Sequence, residues 1–139
     1  MEGVSPEDER LQPPPALRIL IADDQDFICE LLAEYLRGDG HQPVVASDGR
    51  EALEQFRTQR FDLVITDQSM PGMSGMQLAA AVKDQHPGVP VILLTGFGDE
   101  TDGRALPTGV DLVLGKPISP SDLRDAIIRV MSRSGNPPG

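Results

Sequence analysis

Asp67 is a carboxylate standing where an apolar run stops. The stretch Phe61-Asp-Leu-Val-Ile-Thr-Asp67 is β-branched and apolar over the length of a buried strand, and Gln68-Ser-Met-Pro-Gly-Met-Ser-Gly75 then opens a loop. Buried without a partner, such a carboxylate would cost several kcal/mol or take up a proton, so it calls for a cation or a wet crevice. Read alone, it is a turn-capping Asp. Other positions change that reading: Asp23-Asp24 follow the aliphatic run Leu17–Ala22, Thr95 follows Val89–Leu94, and Lys116 comes just after Val110–Leu114. Acids, a hydroxyl and an amine at the ends of separate strands are the equipment for holding a divalent cation and attacking a phosphoryl group.

Those residues work together only if the strands bring them to one edge. Between the aliphatic runs lie helical patterns. Residues 25–38 carry Phe27, Ile28, Leu31, Leu32, Tyr35 and Leu36 and stop at Gly38-Asp39-Gly40. Pro43–Ala46 form a second short strand, Asp48 caps a helix facing inward through Ala52, Leu53 and Phe56, and Gly75–His86 turn inward through Leu78, Ala79 and Val82. Residues 97–109 are broken by Gly98, Gly103, Pro107 and Gly109, which predicts a short or frayed helix. The last helix is announced by Ser119 as cap and Pro120 in the first turn, with Leu123, Ala126, Ile127, Val130 and Met131 inward.

Strands alternating with helices over short loops imply an α/β fold: a doubly wound, five-stranded parallel sheet in the flavodoxin-like order 2-1-3-4-5. In such a sheet the carboxyl ends of the strands share one edge, with a crevice where the order reverses. Asp23 and Asp24 are adjacent, so one turns toward the crevice and the other toward its rim. Carboxylates gathered there repel by roughly 4 kcal/mol per pair at about 4 Å and an effective dielectric of about 20. Hard oxygen ligands with room for water suit Mg2+ or Mn2+, and Lys116 adds a fixed positive charge.

At 139 residues, 39% hydrophobic and 24% charged, the chain has the makings of a single soluble domain, residues 17–133. Residues 1–16 are acidic and proline-rich, a linker or disordered arm, and 134–139 form a tail. No apolar run is long enough to insert in a membrane, no leader pattern opens the chain, and its one cysteine, Cys29, fits the reducing cytoplasm. Cys29 lacks a cationic neighbour and reads as structural; His41 and His86 read as solvent or loop residues. With 22 acids against 12 bases, a net charge of −10 argues against nucleic acid.

Asp23-Asp24, Asp67 with Met70-Pro71 and Gly75, Thr95 and Lys116-Pro117 together resemble the signature of two-component response-regulator receiver domains. The resemblance spans about residues 17–133 and implies a set of roles. Asp67 would accept phosphate from a histidine kinase or phosphotransfer protein. Asp24, Asp67 and the Ser69 carbonyl would ligate Mg2+, with Asp23 acting through bound water. Thr95 and Lys116 would hold the phosphoryl oxygens, and the Lys116–Pro117 peptide would be cis. The chain would be no enzyme in the turnover sense, catalysing only its own phosphorylation and dephosphorylation. Where many relatives place an inward-turning aromatic, this chain has Val113, and Phe97 is the nearest substitute. The wording of 67–79 and 90–97 is similar to receivers at the C-termini of hybrid sensor kinases.

Four other readings compete. An aspartate-nucleophile phosphohydrolase usually has a second Asp where Ser69 stands. A dinucleotide-binding domain needs a Gly-rich turn where Asp23-Asp24-Gln25-Asp26 stand. A stand-alone single-domain regulator, or a docking module that works without phosphate, would carry the same fold. The residues leave oligomeric state, kinase and output partner open.

Overall fold

The computed structural model describes residues 16–96 and 106–133. The expected arm, the tail, Phe97 and most of the frayed stretch 97–109 lie outside these. Among the described residues the elements are β1 (Arg18–Ala22), α1 (Asp26–Gly38), β2 (Gln42–Ala46), α2 (Gly49–Thr58), β3 (Leu63–Asp67), α3 (Gly75–Gln85), β4 (Val91–Thr95), β5 (Leu112–Gly115) and α4 (Pro120–Arg133). The strands form one parallel sheet in the order β2-β1-β3-β4-β5. No described helix is long and apolar enough to cross a membrane.

β3 and β4 are buried at every position because helices cover both faces. Ile19, Ile21, Leu63, Ile65, Ile92 and Leu94 point to one face and pack with Leu32 and Leu36 of α1 and Leu123 and Ile127 of α4. Leu20, Val64, Val91 and Leu93 point to the other, against Leu53 and Phe56 of α2 and Leu78 and Val82 of α3. The register aligns Ala22 with Thr66, Asp67 with Leu94, and Thr95 with Gly115, so the carboxyl ends of β1, β3, β4 and β5 finish along one edge.

The helix signals act as expected. The Asp48 carboxylate accepts from Glu51 N at 2.7 Å, and Asp122 N donates to the Ser119 hydroxyl at 3.0 Å. Ser74 and Gln77 form a reciprocal capping box at the head of α3.

Several expectations shift. Phe27 is 73% exposed, outside the inward stripe. Cys29, Leu32, Ala33 and Leu36 set the buried face of α1. Phe27 precedes Cys29 by two residues, about 200° around the helix at 3.6 residues per turn, and so faces away from it. His41 is buried rather than solvent-facing: its Nδ1 accepts from Leu17 N at 3.1 Å, tying the entry of β1 to the approach to β2. His86 is exposed, as expected, with its ring edge-on to Phe56. β5 starts at Leu112 because Val110 is taken into a turn, its N–H bonded to Pro107 O at 3.0 Å around Gly109 at φ 86°. Val113 is half-buried against the α2–α3 side of the core.

Candidate functional site

The site stands on strand ends. β1 runs out at Ala22, and Asp23 keeps its N–H on the Ala46 carbonyl (3.2 Å) while its Oδ1 accepts from Gln25 N at 2.9 Å. That short-range bond fixes the Asp23 rotamer and turns the chain into α1. Cys29 supports the turn from below, its thiol donating to Asp23 O at 3.2 Å. Burial and the nearby acids push the Cys29 thiol up to about 12, which leaves it protonated and inert, as its sequence setting implied.

The adjacent acids divide as expected: Asp23 is fully buried and Asp24 is exposed at the rim. Asp67, ending β3, is buried, and carboxylate oxygens of Asp23, Asp24 and Asp67 all lie within 4.8 Å of one another. Lys116 reaches them from the loop after β5. Its ammonium is 2.9 Å from Asp67 Oδ1 and 3.2 Å from Asp23 Oδ2. The Lys116 N–H donates to Thr95 O at 2.8 Å, so the lysine is anchored to the end of β4, and the Lys116–Pro117 peptide is cis. Thr95 is buried at that same end. Ser69 lies in the exposed loop two residues beyond Asp67. The fold therefore gathers Asp23, Asp24, Asp67 and Lys116 into one cluster, with Thr95 and Ser69 on adjoining segments.

The electrostatics match that crowding. Burial holds the Asp67 carboxyl above the ordinary aspartate range, with Asp23 and Asp24 adding repulsion and Lys116 opposing both. For Lys116, burial pulls the ammonium down, but Asp67 and Asp23 outweigh it, and the group sits above its ordinary value. An all-oxygen set carrying excess negative charge, open at the Asp24 rim, fits a hard divalent cation of Mg2+ type.

The loop after Asp67 has supports whose physical role only the structure shows. Gly75 is one: a Cβ there would lie 2.3 Å from Asp67 O and 2.7 Å from Leu93 Cδ1, so only glycine lets α3 start this close to the acceptor strand. Gln68 is another. Its N–H donates to Leu94 O (2.9 Å), its carbonyl accepts from Gly75 N (3.0 Å), and its side-chain oxygen accepts from Met76 N (3.0 Å). Gly75 was visible in sequence as a motif letter; the clasp made by Gln68 left no local signal.

Comparison with known proteins decides the family. The profile described as response regulator receiver domain matches residues 19–128. The chain belongs to that family. It is 36% identical over 117 residues to the transcriptional regulatory protein ZraR of Escherichia coli (strain K12), covering 84% of this chain and 26% of that protein. It is 37% identical over 117 residues to the DNA-binding response regulator MtrA of Mycobacterium tuberculosis (strain ATCC 25618 / H37Rv), covering 84% of this chain and 50% of that one. This receiver thus spans between a quarter and a half of the length of these curated relatives. Among solved structures, response regulator TrrA of Thermotoga maritima in complex with Mg(2+)-BeF superposes with TM-score 0.73 at 32% identity, covering 81% of this chain and 97% of that one.

Proposed function

We propose that this receiver takes a phosphoryl group on Asp67 in His-to-Asp signal transduction, with Mg2+ as its resident ion. One observation carries the reading: three carboxylates within 4.8 Å of one another face a single ammonium that bonds both Asp67 and Asp23. Asp24, Asp67 and the Ser69 carbonyl would hold the cation directly, and Asp23 would act through water and through its bond to Lys116. The complex of the related TrrA with Mg(2+)-BeF supports Mg2+ over Mn2+. Bound there, the ion supplies charge neutralisation at the phosphoryl oxygens.

The step is an in-line displacement. A carboxylate oxygen of Asp67 forms a bond to phosphorus as the P–N bond of a donor phosphohistidine breaks, and the bonding pair leaves with the imidazole nitrogen. Lys116, already held on Asp67, moves onto a phosphoryl oxygen as charge develops, and the Thr95 hydroxyl donates to another. In a separate second step water attacks phosphorus, the bond between phosphorus and the Asp67 oxygen breaks with its pair returning to the carboxylate, and inorganic phosphate is released. The chain turns over no other substrate.

Phosphorylation replaces the single negative charge of the Asp67 carboxylate with a phosphoryl group carrying about 1.5 to 2, a net gain of roughly 0.5 to 1 with three strong acceptor oxygens, which redistributes Thr95 and Lys116 and biases a partner-binding face on the β4–β5 side. Moving that face from mostly off to mostly on takes about 5.5 kcal/mol of differential stabilisation. With Val113 at the usual aromatic position, the switch would work through Thr95 and the segment that follows it. The partners are a histidine kinase or phosphotransfer protein and a downstream protein, in the cytoplasm. With 22 acids against 12 bases, this domain contacts no nucleic acid.

For the parent chain we infer the receiver of a hybrid histidine kinase, on the wording of 67–79 and 90–97. The names of ZraR and MtrA favour a second reading, a receiver within a response regulator. Mapping the full reading frame in the genome separates them: a kinase core encoded upstream supports the first, and an output domain or a stop codon downstream without one supports the second. The site itself is tested by incubating the chain with a small acyl phosphate and Mg2+ and weighing it intact. A phosphoryl adduct that vanishes in Asp67→Asn is the expected result, and one that persists in that variant overturns the assignment.

A further inference from the structure

We propose that Gly49 is a positioning residue for the cation site, acting through the loop that carries Ser69. The inference rests on the reading of Asp23, Asp24 and Asp67 as a Mg2+ site. Gly49 opens α2, directly after the cap Asp48, and it is buried. It is not among the positive-φ glycines, Gly40, Gly72 and Gly109, so backbone freedom does not explain it. Gly49 stands at the first position of the helix rather than in its interior, so helix propensity does not account for it either, and another constraint holds it there.

That constraint is close approach. A Cβ on Gly49 would lie 2.8 Å from Met73 Cβ, 2.9 Å from Met73 O and 3.0 Å from Met73 Cγ. The carbonyl and Cβ are not the far end of a flexible side chain, so a methyl group at 49 must push either the loop or the start of α2. The loop is the softer of the two. Its tip is a tight turn in which Met73 N donates to Pro71 O at 3.0 Å around Gly72 at φ 82°. Its base is fixed by the Gln68 bonds to Leu94, Gly75 and Met76. Ser69 lies between base and tip, next to Met70, which is buried in the α2–α3 core cluster. Seating Met73 on the bare backbone of Gly49 holds the tip down and, with Met70, sets where the Ser69 carbonyl stands relative to Asp67.

The contact therefore governs cation affinity rather than phosphoryl chemistry, since Asp67, Thr95 and Lys116 sit on other segments. Gly49→Ala should weaken Mg2+ binding about tenfold, as loss of an outer support of a metal ligand typically does. At saturating Mg2+ the phosphorylation rate should return to that of the unaltered chain. A purely structural role would instead lower the melting temperature in chelator and leave the Mg2+ dissociation constant where it was.

The experiment is calorimetric titration of MgCl2 into the full chain, Gly49→Ala, Met73→Gly and the double variant. Weaker binding in Gly49→Ala, with a smaller loss when the same change is made in the Met73→Gly background, supports the proposal. Binding by Gly49→Ala within about twofold of the unaltered chain overturns it, as does an equal loss in both backgrounds. If Gly49→Ala alone fails to fold, a folded double variant that binds like Met73→Gly supports the contact. A double variant that also fails to fold overturns it, because Gly49 would then serve α2 itself. Absence of Mg2+ binding in the unaltered chain removes the cation-site reading, and this inference falls with it. An effect confined to the variants bears on Gly49 alone.

Discussion

The Lys116 ammonium lies 2.9 Å from Asp67 Oδ1, so the acceptor carboxylate and the amine proposed to assist it are already paired before any phosphate arrives. The pair is shared, because Asp23 Oδ2 is 3.2 Å from the same nitrogen. Lys116 thus does part of the work a metal ion would do, offsetting charge in a crevice that holds three acids. The two cations should compete for the field of the carboxylates and cooperate on the phosphoryl group.

Replacing the amine separates those effects. Lys116→Met keeps much of the side-chain volume and removes the charge. The phosphorylation rate at saturating Mg2+ should fall by about 10²- to 10³-fold, the usual cost of deleting one donor aimed at developing negative charge. Mg2+ should bind more tightly than in the unaltered chain, because a competing positive charge has gone. Rates from intact mass and affinities from calorimetry check both directions, and a parallel loss of rate and affinity would count against the division of labour.

Asp67 should be a stability liability when the site holds no cation. Burial raises its folded value above the ordinary one, so the folded state binds more protons than the unfolded state between the two. Stability contributed this way is present at low pH and is lost as pH rises through the folded value, leaving a penalty at neutrality. Asp67→Asn removes the ionisation and should raise unfolding stability at pH 7 in chelator by roughly 0.5–2 kcal/mol, the usual yield of a stabilising substitution. Saturating Mg2+ should close the gap and reverse it, since it stabilises the unaltered chain by about 2.7 kcal/mol at a hundred times the dissociation constant while the variant has lost a ligand charge. Urea melts in chelator and in Mg2+ test this, and a variant less stable than the unaltered chain in chelator would refute it.

Gly75 is confined more tightly than Gly49. Its missing Cβ would meet Asp67 O at 2.3 Å, a fixed backbone atom, and Leu93 Cδ1 at 2.7 Å in the core. Gly75→Ala should cost about 1–3 kcal/mol through overpacking and backbone shift. It should also slow phosphorylation even at saturating Mg2+, since the displaced atoms belong to the acceptor residue itself. That persistence at saturation distinguishes it from Gly49→Ala in the same kinetic assay.

The strands and the chemistry at their ends were readable because both are local. Apolar runs rich in β-branched residues, such as Val64-Ile-Thr66 and Val91-Ile-Leu93, give way within a few residues to loops holding Pro71-Gly72 and Gly96, and the handedness of crossovers turns five such runs into one strand order. Once the order is known, Asp23, Asp67, Thr95 and Lys116 must finish on one edge. The unread features are contacts between distant residues. Nothing near Gly49 announces Met73, nothing near Cys29 announces a bond to Asp23 O, and His41 looks like a loop residue until Leu17 is laid beside it. Phe27 shows the complementary error, an apolar residue beside a helical stripe but on the wrong side of it.

His41 gives a pH dependence of its own, away from the acidic crevice. Its Nδ1 accepts from Leu17 N at 3.1 Å, which requires that nitrogen to be unprotonated. Burial lowers the folded value below the ordinary 6.5, with Asp39 pulling weakly the other way. The unfolded chain therefore binds a proton more readily, and this contribution to stability is fully present above about 6.5 and lost as pH falls through the interval down to the folded value. One proton sets a ceiling of about 1.4 kcal/mol per pH unit on the loss. His41→Asn can still offer an acceptor to Leu17 N but does not titrate. Between pH 7.5 and 5.5 the unaltered chain should therefore lose more stability than the variant, with Asp67 and the other carboxylates common to both. Denaturant melts at the two pH values measure the difference, and parallel losses in the two proteins would show that His41 takes up its proton as easily folded as unfolded.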